Sequence, residues 1–245
     1  MSIEKIRLDV LLVERNIAPS RQRAQALIMA GKVLVNQAPI TKPGTRIRIS
    51  EQISLKGFDL PFVSRGGVKL AHALSDFAID VSGKKCMDVG ASTGGFTDCL
   101  LQSGAVRVLA VDVGYGQLAW KLRQDPRVDI RERTNIRHLT IEKVPYSIEL
   151  AVIDVSFISL RIVLPAVQKF LISDAHTVAL IKPQFEVGKN MVGKGGVVRD
   201  PRLHADVIQS VTQFCQTIGM TFLGLTTSPI TGPKGNKEFL IHLKN

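Results

Sequence analysis

The apolar positions of the first sixty residues come in short groups separated by polar breaks. Leucines within residues 8–12 mark one face of a short helix, and Ser20 caps a second helix predicted over residues 21–30. Apolar and polar residues then alternate over residues 32–36 and 47–55, as they do in half-buried strands. The pattern predicts a small α+β unit.

Beyond residue 60 the pattern changes to apolar strands that alternate with amphipathic helices. Strands are predicted at Cys86–Val89, Val106–Val111, Val128–Ile130, Leu150–Asp154, Val178–Ile181, Thr221–Leu225 and Glu238–Leu243. Helices are predicted at Gly67–Phe77, Phe96–Ser103, Gln117–Gln124, Arg161–Leu171 and Pro201–Ile218. This alternation predicts an α/β fold with a seven-stranded, mostly parallel sheet, helices on both faces and a final antiparallel hairpin. We expect domains at residues 1–59 and 67–245, joined by a linker at 60–66.

The charge distribution separates the same two parts of the chain. The net charge is +11, and residues 1–65 hold eleven Lys and Arg against five Asp and Glu. Such a basic module suits a polyanion, either nucleic acid or an acidic membrane. Because no apolar stretch approaches the roughly 20 residues of a membrane helix and no signal peptide is visible, we expect a cytoplasmic protein without stable membrane insertion. Three separated cysteines predict neither a disulfide framework nor a zinc site, and no metal is expected.

A glycine turn follows the first strand of the larger domain. Ligands of open parallel sheets bind at the carboxyl ends of the strands, where such a turn lets the backbone approach them, although tight turns also use glycine for steric reasons alone. Asp112 ends the second strand, where a carboxylate can accept hydrogen bonds from a ribose diol. Asn135 follows the third strand and is either an adenine contact or a loop cap. The predicted cofactor contacts are Asp88, Gly90, Ala91, Ser92, Thr93, Gly94, Gly95, Phe96, Asp112, Asn135 and Asp154.

Four charged residues stand near the ends of predicted elements on this ligand face: Lys69, Asp154, Lys182 and Glu238. A ribose hydroxyl is a poor nucleophile and must lose its proton as it attacks a methyl group. A neutral lysine can take that proton, and burial or a neighbouring cation favours the neutral form. We expect Lys182 to be the base, with Lys69 beside it and the two carboxylates holding both lysines. Two structural ion pairs are the alternative.

Three strings of the basic module resemble the ribosomal S4-type RNA-binding domain. They are RLDVL at residues 7–11, SRQRAQALI at 20–28 and GKVLVN at 31–36, in the order typical of that domain. A loop rich in glycine and cations, residues 187–200, is predicted to be mobile and to face RNA. The expected RNA contacts are Arg7, Arg21, Arg23, Lys32, Arg65, Lys189 and Lys194.

The four charged residues resemble the Lys-Asp-Lys-Glu tetrad of FtsJ-like ribose 2'-O-methyltransferases. Together with SRGGVKL at residues 64–70, DVGASTGGFTD at 88–98, DVSFISL at 154–160, IKPQFE at 181–186 and GPKGNKEFL at 232–240, they make the whole chain similar to the TlyA family, which also carries the name hemolysin A. The resemblance implies a class I (Rossmann-like) methyltransferase fold and S-adenosyl-L-methionine as cofactor. It also implies 2'-O-methylation of a cytidine ribose in ribosomal RNA, in the large subunit and, for longer members, also in the small one. The partner is then ribosomal RNA or a ribosomal subunit.

Four other hypotheses are weaker. An RNA-binding module with an inactive methyltransferase domain conflicts with the intact tetrad. A membrane-lytic protein would need a spanning segment or a long amphipathic helix, and the sequence shows neither. A pseudouridine synthase would share the basic module but not the parallel α/β domain, and a nicotinamide dehydrogenase leaves Lys69 and Lys182 unexplained.

Overall fold

A computed structural model describes residues 5–15, 17–55, 61–188 and 191–245 of the chain. The chain divides into two units, Met1–Asp59 and Leu60–Asn245. The two units differ in architecture in the way that the change of sequence pattern predicts.

In its described residues, the first unit combines two helices with short antiparallel strands. The helices are α1 (Leu8–Glu14) and α2 (Arg21–Met29). The strands in its described part are β1 (Lys5–Arg7), β2 (Val33–Val35), β3 (Ala38–Ile40), β4 (Arg46–Arg48) and β5 (Ile53–Leu55). Strand β1 pairs with β4, and β2 lies between β3 and β5.

Both predicted helices of this unit are confirmed, and the apolar positions that predicted them form its core. The Ser20 hydroxyl accepts a hydrogen bond from the Arg23 backbone N–H at 3.2 Å and so caps α2. The single strand predicted over residues 47–55 is wrong, because a turn closed by the Glu51 N–H on the Arg48 carbonyl separates β4 from β5. The buried core residues are Leu8, Leu11, Leu12, Ala18, Ala24, Leu27, Ile28, Val33, Val35 and Ile47.

The second unit is built on a seven-stranded sheet. Its strands are β6 (Lys85–Val89), β7 (Arg107–Val111), β8 (Val128–Arg131), β9 (Ile148–Ile153), β10 (Leu171–Ile181), β11 (Thr221–Thr227) and β12 (Phe239–Lys244). Its helices are α3 (Arg65–Asp76), α4 (Gly95–Gln102), α5 (Trp120–Arg123), α6 (Leu160–Gln168), α7 (Pro183–Glu186) and α8 (Pro201–Thr217).

The strand order confirms the predicted parallel sheet with a final antiparallel hairpin. The order is β11-β12-β10-β9-β6-β7-β8, and the strands from β10 to β8 are parallel. Strand β12 runs antiparallel to both of its neighbours, β10 and β11. The carboxyl ends of β6, β7, β9 and β10 therefore meet at one edge of the sheet, where ligands of open α/β sheets bind.

Each face of this sheet carries its own apolar layer, because successive side chains of a strand point to opposite faces. Met87 and Leu109 lie in a layer with the apolar sides of α6 and α8. Cys86 and Val108 lie in the other layer, with α3, α4 and Leu122 of α5. The predicted placement of helices on both faces is thus confirmed, and the sheet is covered on each side.

Element boundaries differ from the predictions where local geometry breaks the pattern. Helix α3 begins at Arg65, so the last residues of the predicted linker belong to a helix, and the Val63 N–H donates to the Asp98 carboxylate at 2.8 Å. Strand β10 begins at Leu171, well before the predicted start at Val178. Its ladder with β9 is irregular between Leu171 and His176, where Asp174 has a φ of 63°. Helix α5 is four residues long instead of eight.

Candidate active site

Two adjoining cavities open at the carboxyl edge of the sheet. The first has a volume of about 580 Å³ and the second about 490 Å³. Their linings share Gly90, Ser92, Asp154, Ser156 and Phe157. The wall common to both therefore comes from the glycine turn after β6 and the segment after β9.

All four residues of the predicted catalytic set line the first cavity, as two ion pairs. The Lys69 Nζ atom lies 2.5 Å from Glu238 Oε2, and the Lys182 Nζ atom lies 2.5 Å from Asp154 Oδ1. Lys69, Lys182 and Glu238 are buried, and Glu238 Oε1 has no hydrogen-bond partner among the described residues. The structure thus brings the four residues together in one cavity, where each lysine forms an ion pair with a different carboxylate.

The first cavity has an excess of positive charge. Its lining contains four cationic residues, Arg65, Lys69, Lys182 and Lys234, against the carboxylates of Asp154 and Glu238. An anionic group such as a phosphate is therefore favoured near this cavity. Of the predicted RNA contacts that the structure describes, Arg65 is the one that lines it.

The second cavity carries the predicted nucleoside carboxylate. Asp112 Oδ2 accepts a hydrogen bond from the Ser92 N–H at 2.7 Å, and Oδ1 accepts one from the Gly114 N–H at 2.6 Å. These two bonds fix the carboxylate in the cavity wall. Apolar side chains of Val113, Ile136, Val155, Ile158 and Val163 also line this cavity. An apolar slot beside a fixed carboxylate suits a nucleoside, whose base is flat and whose ribose offers two hydroxyl donors.

The glycine at the start of the turn has a steric role. Gly90 has a φ of 86°, in the left-handed region that favours glycine. A Cβ atom there would lie 2.5 Å from the Asp154 carbonyl oxygen, so a side chain would push apart the segments that follow β6 and β9. Asp154 keeps its place only because this position has no side chain.

Most of the predicted cofactor residues line one of the two cavities, and two do not. Asp88 is fully buried and accepts a hydrogen bond from the Thr97 hydroxyl at 2.7 Å, so its side chain faces α4. Burial raises its pKa from 3.8 to about 7, and the nearby charges of Asp154 and Asp112 act in the same direction. Gly94 is the N-cap of α4, with a φ of 92°, and lies against the Leu122 side chain. The residues that line a cavity are Gly90, Ala91, Ser92, Thr93, Gly95, Phe96, Asp112, Asn135 and Asp154.

The position of Asn135 is compatible with both of its predicted roles, an adenine contact and a loop cap. It lines the second cavity, and its side-chain oxygen caps a short 3-10 helix, Ile136–His138. That oxygen accepts hydrogen bonds from the Arg137 N–H at 3.1 Å and from the Arg137 guanidinium at 3.3 Å. The loop-capping role has observed bonds, and an adenine contact stays a prediction.

Two further residues of the site, Ser156 and Phe157, lie two and three positions after Asp154 and were not predicted from the sequence. The Ser156 hydroxyl accepts a hydrogen bond from Lys182 Nζ at 3.0 Å. Phe157 is 90% exposed at the border of both cavities, has a φ of 63°, and its ring centroid lies 5.0 Å from that of Phe185. A positive φ strains the backbone at a phenylalanine, and this ring is also exposed to water. Strained backbone positions cluster at ligand-contact sites. The string DVSFISL contained both residues, but nothing in its spacing separated them from the rest of the loop.

The glycine-rich segment after α7 was predicted to be mobile. In its described part, side-chain hydrogen bonds from Asn236 hold it. The Asn236 side-chain oxygen accepts from the Val198 N–H at 3.1 Å, and its amide donates to the Gly196 carbonyl at 3.0 Å. Val198 is buried, whereas Lys194 is exposed. Lys189, another predicted RNA contact, lies outside the described residues.

In the first unit a buried carboxylate gathers two of the predicted RNA contacts. Asp9 is fully buried and accepts hydrogen bonds from Arg7 at 2.9 and 3.0 Å, from Arg21 at 3.0 Å and from Gln25 at 2.9 Å. These donors hold the pKa of the Asp9 carboxyl far below its usual range. The side chains of Arg7 and Arg21 keep 43% and 55% of their surface exposed, so each retains free donors. Arg23 and Lys32 are exposed on the same unit.

Comparison with known proteins agrees with this geometry. Residues 62–245 match the model of the FtsJ-like methyltransferases, and residues 6–53 match the S4 domain. The chain belongs to the FtsJ-like methyltransferase family. The predicted resemblance and the class I methyltransferase fold are thereby confirmed.

Two relatives and one solved structure show how far the similarity of this FtsJ-like methyltransferase extends. It is 52% identical to YqxC of Bacillus subtilis, named as a candidate rRNA methyltransferase, over 99% of this chain and 87% of that protein. It is 49% identical to the 16S/23S rRNA (cytidine-2'-O)-methyltransferase TlyA of Mycobacterium tuberculosis, over 98% of this chain and 90% of that one. A hemolysin-named structure from Streptococcus thermophilus has a TM-score of 0.78 and 44% identity, covering 100% of this chain and 90% of that one.

Within the described ranges, none of the helices is long and apolar enough to cross a bilayer.

Proposed function

We propose that this chain transfers the methyl group of S-adenosyl-L-methionine to the 2'-hydroxyl of a cytidine ribose in ribosomal RNA, in the cytoplasm. The observation that carries the proposal is the pair of adjoining cavities, one with a fixed carboxylate for a nucleoside and one with two buried lysine–carboxylate pairs. The name of the mycobacterial relative, which this chain covers to 90%, supports the choice of cytidine and of rRNA.

The second cavity fits the nucleoside half of the cofactor. Asp112, held by the Ser92 and Gly114 N–H groups, is the acceptor for the ribose diol, and the apolar wall around Ile136 receives the adenine. The cofactor, when bound, supplies an electrophilic methyl group. The glycine turn at Gly90, which lines both cavities, admits a ligand that runs from one into the other.

In the first cavity Lys182 is the acceptor for the proton of the 2'-hydroxyl. The Asp154 carboxylate at 2.5 Å and the Ser156 hydroxyl at 3.0 Å fix the direction of its Nζ atom. Lys182, in the neutral form that general-base catalysis requires, would take the hydroxyl proton as that oxygen bonds the methyl carbon and the carbon–sulfur bond of the cofactor breaks. Lys69, paired with Glu238, places a further positive charge in the same cavity, which attracts the phosphates beside the target ribose.

Substrate contacts extend beyond these four residues. The exposed ring of Phe157 at the cavity border offers a surface on which an unstacked base can lie. In the first unit, Asp9 holds the Arg7 and Arg21 guanidinium groups, whose free donors suit RNA phosphates. Arg23 and Lys32 in the first unit, and Arg65 and Lys194 in the second, offer further cations for RNA phosphates. Lys189, outside the described residues, stays a prediction of the sequence.

The test is the transfer of tritium from labelled S-adenosyl-L-methionine to isolated ribosomal subunits, naked rRNA and a protein control. Lys182→Ala is compared with wild type and with Lys244→Ala, which removes a lysine paired with Asp174 at 2.7 Å. We expect label in rRNA, a loss of at least about 100-fold in Lys182→Ala and no change in Lys244→Ala. Cofactor binding without any labelled RNA would contradict the proposal and favour the binding-module hypothesis.

A further inference from the structure

Helix α7 follows Lys182 directly and ends in a carboxylate that the proposed reaction has not used. Glu186 is partly buried, and both of its oxygens are engaged. Oε2 accepts a hydrogen bond from the Ser159 hydroxyl at 2.6 Å, and Oε1 accepts one from the Leu160 N–H at 2.8 Å. Glu186 thus connects the segment that carries Lys182 with the segment that enters α6.

The segment entering α6 carries three residues of the proposed site. Asp154, Ser156 and Phe157 lie between the end of β9 and Ser159, the residue that caps α6 by accepting from the Arg161 N–H at 3.2 Å. At its start this segment is fixed by the Asp154 N–H, which donates to the Val89 carbonyl at 2.9 Å. At its other end it is fixed by Glu186.

The backbone within the segment needs fixing at both ends. Phe157 adopts a left-handed φ of 63° while its side chain is 90% exposed, so its own burial contributes little to holding that conformation. Its ring leans on Phe185, the neighbour of Glu186, with a centroid distance of 5.0 Å. Helix α7 therefore contacts this part of the chain at two points, the Phe157 ring and the Ser159–Leu160 end.

The place of the Glu186 side chain in the fold also favours the carboxylate form, in which both oxygens can accept hydrogen bonds. It lies at the amino end of α6, where the helix dipole attracts a negative charge. Burial raises its pKa, while the bonds from Ser159 and Leu160 oppose that effect. The simple alternative is a helix cap that contributes to stability and does not influence the reaction.

We propose that Glu186 is a positioning residue of the methyl-transfer reaction, which joins the Asp154–Ser159 segment to the Lys182 segment and so sets where Ser156 and Phe157 stand relative to Lys182. This inference rests on the proposed function. A displacement of about 1 Å in a reacting group lowers a rate by up to about 100-fold, so loss of this connection acts on the chemical step.

The experiment measures single-turnover methyl transfer to rRNA at saturating cofactor, with thermal unfolding and cofactor affinity measured alongside. Glu186→Ala removes both bonds, and we expect a rate at least about tenfold below wild type with cofactor affinity within about twofold. Glu186→Gln is the conservative variant, because its oxygen accepts from Leu160 while its amide donates to Ser159, and we expect it to keep the rate within about threefold. The matched control is Glu149→Ala, a carboxylate that accepts from the Lys85 N–H at 2.9 Å at the other edge of the sheet, and we expect no change in rate.

A double-mutant cycle separates positioning from simple capping. Ser156→Ala removes the hydroxyl that accepts from Lys182. If Glu186 acts through this segment, Glu186→Ala combined with Ser156→Ala loses little more rate than the worse single variant. Rate losses that multiply, or a Glu186→Ala rate within twofold of wild type, contradict the inference. A wild-type chain that transfers no methyl group contradicts the proposed function itself, whereas an active wild type with an equally active Glu186→Ala contradicts only the role of Glu186.

Discussion

Removal of the Glu238 carboxylate is expected to destabilise the larger unit strongly, because it strands a buried lysine. Glu238 is 1% exposed and Lys69 is 8% exposed, and their ionic groups lie 2.5 Å apart. Breaking a buried pair by deleting one partner costs about 3–5 kcal/mol of unfolding free energy. Since the first cavity lets water approach the stranded ammonium group, we expect the lower end, about 3 kcal/mol. For a protein of this size the midpoint of thermal unfolding then falls by about 6–12 °C.

The assay is thermal and urea unfolding of Glu238→Ala beside two further variants. In Lys69→Met combined with Glu238→Ala no charge is stranded, and we expect at least half of the lost stability to return. Asp174→Asn is the control, because it breaks the exposed pair with Lys244, worth about 0–1 kcal/mol, and asparagine tolerates the left-handed φ at that position. A Glu238→Ala variant within about 1 kcal/mol of wild type, or a double variant no more stable than the single one, would refute the reasoning.

Three further predictions concern the carboxylates that hold other parts of the two sites. Asp112→Ala removes the acceptor that Ser92 and Gly114 fix, so calorimetry should show cofactor affinity weakened by about 10- to 100-fold, and an unchanged Kd would exclude the assigned nucleoside cavity. Asp88 has its pKa raised from 3.8 to about 7, so the folded state binds more protons than the unfolded state between these values and wild type loses stability as pH rises through that range. Asp88→Asn does not titrate, so its unfolding free energy should gain on wild type from about pH 4 to 7 and level off above, and a difference independent of pH would contradict the burial argument. Asp9→Asn makes the chain more positive, yet we expect rRNA binding about tenfold weaker at fixed salt because Arg7 and Arg21 lose their anchor; tighter binding would show that net charge outweighs orientation.

The parallel sheet could be predicted from the sequence because its strands are buried on both faces. Runs such as residues 86–89 and 178–181 are almost wholly apolar, and segments with the apolar period of a helix separate such runs. This alternation is typical of a parallel sheet covered by helices. The carboxyl ends of parallel strands meet at one edge. Asp154 and Lys182, which follow two such strands, could therefore be expected to lie close together, and they form an ion pair.

Other parts of the site depend on contacts that no local pattern records. Glu186 reaches Ser159 across 27 positions of the chain, and Asp9 collects Arg21 and Gln25 from another helix. Asp88 and Asp112 are both aspartates near the ends of neighbouring strands. The Asp88 side chain nevertheless faces α4 instead of a cavity. Which way a side chain points at a strand end is set by the packing of both sheet faces, and a single sequence does not give it.

The most direct test of the central claim is nucleoside mass spectrometry of rRNA after reaction with wild type and with Lys182→Ala, combined with alkaline cleavage of the same RNA. A methyl group on the 2'-oxygen removes the nucleophile that alkali needs, so the proposed function predicts 2'-O-methylcytidine at a position that resists cleavage with wild type and not with the variant. Methyl groups found only on bases, or the same product from Lys182→Ala at the wild-type rate, would contradict ribose methylation through the Lys182 cavity.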